Sequence, residues 1–124
     1  MIASHKHEFG VIEIYSNYII AIMNEGIVVK PEYNNVLLEY AEKYFSEKPF
    51  GYITHRINSY AVDPSIYFET SKIENLAAFA VVSNQYINIS NTQLEKIFLK
   101  KPFEHFFELD DAIEWVNNKI SAST

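Results

Sequence analysis

The sequence predicts a single small α/β domain: a mixed, mostly parallel five-stranded sheet with about four helices, in the order ββαβαβαβα. Three observations predict it. Short β-branched and aromatic runs alternate with stretches whose apolar residues recur at spacings of three and four, as strands and amphipathic helices do. Two strand-like runs stand at the front, separated by only two polar residues, which marks a hairpin. The later strand-like runs are almost continuously apolar, as strands covered on both faces are. Strands joined through helices imply right-handed βαβ crossovers, and the leading hairpin makes the sheet mixed.

The elements follow in order. Residues 8–15, EFGVIEIY, read as a strand, Ser16-Asn17 as a turn, and 18–23, YIIAIM, as its antiparallel partner. Gly26 accepts the positive φ that ends the second strand. Pro31 suits a first helical position, and Tyr33, Val36, Leu37, Tyr40, Ala41 and Tyr44 then form one apolar face. Pro49 stops that helix, and 50–54, FGYIT, reads as a strand. Asp63 is a good N-cap with Pro64 at N1, so a helix is predicted over 64–74, with Ile66, Thr70 and Ile73 facing inward. The most uniformly apolar run, 77–82, AAFAVV, predicts a central strand. Ser90 with Gln93 resembles a capping box for a helix that ends before Pro102. Residues 103–107 predict a last strand. A final helix carries Leu109, Ala112, Ile113, Val116 and Ile120 inward, with Asp110 and Asp111 in its first turn, where the helix dipole favours them.

Bulk properties narrow the function. The chain has 124 residues and is 48% hydrophobic, enough for a real core and for one domain over 1–124, with 1–6 expected as a flexible tail. A net charge of -6 repels phosphate backbones and anionic membrane surfaces, so nucleic acid is not an expected partner. With no cysteine, disulfides, thiolate metal sites and cysteine nucleophiles are excluded. The opening MIASHKHEFG holds no apolar run of signal-peptide length, and YIIAIM is far too short to insert across a bilayer. The expectation is a cytoplasmic protein without membrane insertion.

Two stretches carry a family resemblance. The ending FFELDDAIEWV sets a short strand, an acidic turn and a helix with Ala112 and Trp115 in succession. YIIAIMNEGIVVKPEYNNVLLEY sets a strand, a glycine turn and a helix. Both are similar to the STAS family, specifically its SpoIIAA-like branch often labelled STAS/SEC14, and the element order matches over nearly the whole chain. The resemblance implies a small regulatory or protein-binding domain with no catalytic residues. In anti-sigma-antagonist members a serine at the start of a helix, within an Asp-Ser-Ser-Gly type motif, is phosphorylated. The matching region here is INSYAVDPS, and Ser59 is the nearest match as phosphoacceptor. It departs from the pattern: Asn58 replaces the aspartate, the glycine is missing and the loop is longer.

The stretch YITHRINSYAVDPS, 52–65, concentrates the candidate site: His55, Arg56, Asn58, Ser59, Tyr60, Asp63 and, on the next helix, Tyr67. Ligands of open α/β sheets sit beyond the carboxyl ends of strands. Arg56, the one arginine of the chain, offers a planar fork to a carboxylate or phosphate. Tyr60, Tyr67 and Phe68 offer aromatic faces for an apolar pocket or for a partner surface. The structural alternative is that Asp63 caps a helix and Arg56 pairs with a surface acid, a contact worth only about 0–1 kcal/mol. Glu69 is a candidate to point back toward Arg56.

A His55–Ser59–Asp63 triad is disfavoured, because three residues crowded on one loop rarely meet the required geometry and no G-x-S-x-G elbow precedes them. His5 and His7 lack a third ligand and read as solvated tail residues, His105 as a satisfied histidine at the core edge. No metal and no cofactor is expected. Two function classes remain: a regulatory module that binds a protein partner or forms a homodimer, and a carrier or sensor of a small lipophilic or anionic ligand near 55–63.

Overall fold

A computed structural model describes residues 1–58, 61–62, 65–83 and 101–123, without the side chains of 61, 67 and 123. Its elements are β1 (Ala3–His7), β2 (Gly10–Ile14), β3 (Tyr18–Met23), β4 (Val28–Val29), α1 (Asn34–Tyr40), β5 (Phe50–His55), β6 (Ala61–Val62), α2 (Ile66–Ser71), β7 (Leu76–Val82), β8 (Phe103–Phe106) and α3 (Leu109–Ser123). The six-stranded sheet has the order β1-β2-β3-β5-β7-β8. β1 pairs antiparallel with β2 and β2 with β3, while β3, β5, β7 and β8 are parallel. A separate parallel pair joins β4 to β6.

The predicted α/β class and mixed, mostly parallel sheet are what the chain adopts, with one strand more than the five expected. The additional strand is β1. The tail expected over 1–6 is instead an edge strand, registered on β2 from Ala3↔Ile14 to His7↔Gly10. Its inward positions are Ala3, His5 and His7, all half-buried. The predicted helix after Ser90 lies outside the described residues.

Strand alternation splits the core into two layers. On one face Ile14, Ile19, Ala21, Phe50, Tyr52, Phe79 and Val81 pack under the helices α1 and α2. On the other, Ile20, Ile53, Ala78, Ala80 and Val82 meet Ala112, Val116 and Ile120 of α3. Gly51 lets α3 come this close, since a Cβ there would collide with Val116 Cγ1. With helices on both faces, the central strands read as continuous apolar runs.

The first helical segment is composite. A 3-10 turn over Pro31–Tyr33 leads into α1, and α1 widens into a π-helical turn over Ala41–Phe45. Asn34, Leu37, Ala41 and Phe45 are its buried residues. Tyr40 and Tyr44, predicted on the core stripe, lie at its margin and meet β1. Phe45 instead stacks on Phe50, with ring centroids 4.8 Å apart. α2 is shorter than the predicted 64–74, and Ile66, Thr70 and Ile73 are buried as expected.

Candidate functional site

Thr54 and Arg56 occupy alternate positions at the carboxyl end of β5, so both face the layer under α1 and α2. His55, between them, faces the opposite side. Arg56 is only 7% exposed, and Thr54 is equally buried. Arg56 is thus not a surface charge: the residue is buried at the end of its strand and lines the cavity described next. Its amide donates to the Val82 carbonyl at 2.9 Å, which extends the ladder one residue beyond β5.

These two residues form the polar end of a cavity. The cavity lies between the sheet and the layer made by α1, α2 and the β4–β6 pair. Its floor comes from Ile12, Met23, Tyr52 and Phe79 on four neighbouring strands. Val29 and Val62 close it from the β4–β6 pair, while Val36 and Leu37 of α1 and Ile66 of α2 form the roof. Phe9 and Tyr33, stacked with centroids 4.7 Å apart, stand at one side. For water-sized occupants its volume is about 40 Å³, and the empty space with the mouth included is about 550 Å³. A water needs roughly 10–15 Å³ on the first measure, so the slot is narrow and holds about three. Pockets for small molecules are typically of this character: concave, mostly apolar, with a few placed polar groups.

Two further polar side chains line the cavity. Asn34 is 3% exposed at the start of α1, and Thr70 is 2% exposed on α2. The Thr70 hydroxyl lies 2.9 Å from Asn34 Oδ1 and 3.0 Å from the Ile66 carbonyl oxygen, and its single proton serves one of them at a time. This bond ties α2 to α1 across the roof. Thr54 differs: its Oγ1 is fully buried and makes no hydrogen bond within the described residues. An unsatisfied buried hydroxyl costs about 1–3 kcal/mol, so such groups are rare without a reason.

The other described candidates, His55, Asn58, Phe68 and Glu69, are not part of the cavity lining. Asn58 Nδ2 donates to the Met23 carbonyl at 2.8 Å, pinning the loop after β5 to the end of β3. Ser59, Tyr60 and Asp63 lie outside the described residues, as does the side chain of Tyr67. Phe68 does not line the cavity and is 45% exposed on α2. Glu69 does not turn toward Arg56; its Oε1 lies 3.1 Å from Lys72 Nζ at the surface. His105 Nε2 lies 2.8 Å from the Ser83 carbonyl oxygen, as a satisfied histidine at the core edge.

Sequence reasoning missed most of the cavity wall, because it is assembled from eight segments of chain. It also missed the roles of His5 and His7. Rather than being solvated, His5 Nε2 lies 2.8 Å from the Tyr44 hydroxyl and His7 Nε2 2.6 Å from the Tyr40 hydroxyl. His5 also stacks on Tyr40, and His7 on Phe9. No group of three or more His, Asp or Glu able to hold a metal occurs among the described residues. None of their helices is long and apolar enough to cross a membrane.

Neither a family model nor a curated protein matches the sequence. A solved structure does match the fold: an uncharacterized protein of the DUF3478 family, with a SpoIIAA-like fold, from Shewanella loihica PV-4. The two share 14% identity, the match covers 94% of this chain and 92% of the other, and the TM-score is 0.57. The chain thus has a SpoIIAA-like fold, as the closing FFELDDAIEWV and the element order implied.

Proposed function

We propose that this chain is a non-enzymatic SpoIIAA-like module that binds a small, largely apolar molecule in the cavity under α1 and α2. The observation that carries this reading is the cavity itself, an apolar slot that ends at Thr54 and Arg56. A carrier or sensor needs such a slot, and a module acting only through its surface has no use for one. Apolar walls supply affinity through burial, at about 25 cal/mol per Å² removed from water. The polar end fixes orientation. A hydrolytic role finds little support: His55 faces away from the cavity, and no other histidine lines it.

Native mass spectrometry of the purified protein, set against its denatured mass, tests this reading. The expected result is a non-covalent increment that disappears on denaturation, or a melting temperature raised by short-chain amphiphiles when the protein is isolated empty. A bare protein whose melting temperature is unmoved by a panel of short-chain acids, alcohols and aryl compounds overturns it. A covalent increment matching one phosphate, mapped to Ser59, supports the phosphoswitch that the family resemblance implies.

A second reading, a protein-interaction module, is favoured by one observation. Leu38 and Phe68 are exposed on α1 and α2, the two helices that roof the cavity. A partner that contacts both is positioned to sense whether the slot is filled. Size-exclusion chromatography with light scattering separates a homodimer from a monomer that awaits a different protein.

A further inference from the structure

The size of the cavity and the hydrogen-bond donors in its wall narrow what it can take. We infer that it takes a neutral carbonyl compound of at most about four non-hydrogen atoms, whose oxygen accepts a hydrogen bond from the Thr54 hydroxyl. This inference rests on the cavity being a ligand site.

Three observations lead to it. The first is size. The space open to water-sized occupants is about 40 Å³, and one water needs roughly 10–15 Å³ on that measure. The slot therefore admits about three to four non-hydrogen atoms, the size of acetone, and excludes a longer chain. The second is Thr54. It lines the cavity, and its Oγ1 is buried with no hydrogen bond to a described residue. A hydroxyl left in that state is costly, and a small acceptor beside it removes the cost.

The third is the character of the polar groups in the wall. Asn34 turns its Oδ1 to the Thr70 hydroxyl at 2.9 Å, so the end it has left for the cavity it lines is the Nδ2 donor. The Thr70 proton is taken up by Asn34 Oδ1 or by the Ile66 carbonyl. An arginine side chain, whatever its partners, offers donors and no acceptor. A carbonyl oxygen accepts and never donates, which matches such a wall. An alcohol or an amide brings a donor of its own into a wall already rich in donors. A neutral molecule makes no demand on the Arg56 charge and leaves its contacts as they are. The rest of the wall, with Ile12 and Phe79 in the floor and Leu37 in the roof, suits two methyl groups.

The test titrates acetone, isobutene and 2-hexanone into the protein and follows backbone amide shifts by NMR. Isobutene has the shape of acetone without its acceptor, and 2-hexanone has the same head with three more carbons. The expected result on the native chain is a saturable shift with acetone, centred on the cavity, and none with 2-hexanone. Thr54→Val keeps the side-chain shape, and its own amide spectrum verifies the fold. It should weaken acetone binding about fivefold, the scale of one neutral hydrogen bond, and leave isobutene binding unchanged. Acetone affinity that is the same in Thr54→Val, or an equal loss for isobutene, overturns the inference while the ligand site stands. So does 2-hexanone binding as tightly as acetone, a comparison that needs no variant. So does a larger molecule of the wider panel that raises the melting temperature when acetone gives no saturable shift. If none of the three binds and the wider panel moves no melting temperature, the ligand reading itself falls, and this inference with it.

Discussion

His7 Nε2 and the Tyr40 hydroxyl lie 2.6 Å apart, and this bond fastens the first strand of the sheet to the helix that roofs the cavity. His5 repeats the arrangement one step along the strand, at 2.8 Å from the Tyr44 hydroxyl. Tyr40 sits within both: it stacks on the His5 ring at 4.7 Å and meets the His7 ring edge-on at 5.8 Å. The ladder continues from His7 to Phe9 and from Phe9 to Tyr33, and the last two line the cavity. Edge strand, helix and cavity wall are thus one packed series of rings.

The first prediction follows from that series. A neutral hydrogen bond of this kind contributes about 0.5–1.5 kcal/mol, and a stacked ring pair about as much again. Tyr40→Phe keeps the rings and removes the hydroxyl, so it should lower stability by about 1 kcal/mol. His7→Ala removes the bond and two ring contacts, and should cost more. Chemical denaturation reads both. Hydrogen exchange should show the added loss concentrated in β1, because the edge strand has a sheet partner on one side only. Equal loss of protection across β5 and β7 would mean that these bonds do not hold the edge locally.

That ladder also marks the limit of what the sequence discloses. Strands such as AAFAVV and the α3 stripe were legible because each is buried by its own pattern. β1 was not, because the inward face of ASHKH holds one small apolar residue, Ala3, and two histidines whose partners lie 39 and 33 residues away. Arg56 reads as a surface charge in any local window, since burial depends on the helices folded over it. β4 and β6, two residues each, are too short to carry a period. The cavity was legible only at its polar end. Its walls come from residues that each read as ordinary core, and their failure to fill the space between them is a property of three-dimensional packing.

Alkaline pH should destabilise the fold through three tyrosines. The Tyr40 hydroxyl is pushed above its ordinary value of 10.0 by burial first, then by Tyr44 and Glu39. Burial and then Asp110 push Tyr18 up, and burial and then Glu13 push Tyr15 up. A raised pKa in the folded chain means that folding favours the protonated phenol. The stability this provides is complete below the unfolded value and is lost as pH rises through the higher folded values. Melting temperature should therefore hold steady up to about pH 10 and fall beyond it. Tyr40→Phe should make that fall shallower. A fall of equal steepness in that variant would exclude Tyr40 as a source.

Gly51 sets how closely α3 approaches the sheet. In Gly51→Ala the new methyl group collides with Val116 Cγ1 and lies 3.3 Å from Val116 Cβ. A valine in a helix has one strongly preferred rotamer, so it does not turn aside. Overpacking of this sort costs about 1–3 kcal/mol. Val116→Ala alone should also destabilise, through the space it leaves. Combined, the two should be less destabilising than their sum, because the added methyl enters the vacated volume. Strict additivity in a double-mutant cycle would show that the contact does not limit the approach.

Thr54 gives the sharpest contrast between empty and occupied protein. Its Oγ1 is buried without a hydrogen bond to a described residue, at a cavity lined mostly by apolar side chains. In the empty protein Thr54→Val exchanges that hydroxyl for a methyl of similar size, which relieves a desolvation cost of about 1–3 kcal/mol. The variant should therefore be more stable than the native chain by up to about that amount. A core residue selected for stability alone would not be expected to behave so. The gain is what the protein forgoes by keeping a donor at the cavity end, and it should shrink once a bound molecule accepts a hydrogen bond there, because then only the native chain gains that bond. Thermal denaturation with and without the panel of short-chain acids, alcohols and aryl compounds reads both halves. A native chain more stable than Thr54→Val when empty would mean that the hydroxyl already has a partner, such as a bound water, and that the cavity end is not waiting for a ligand.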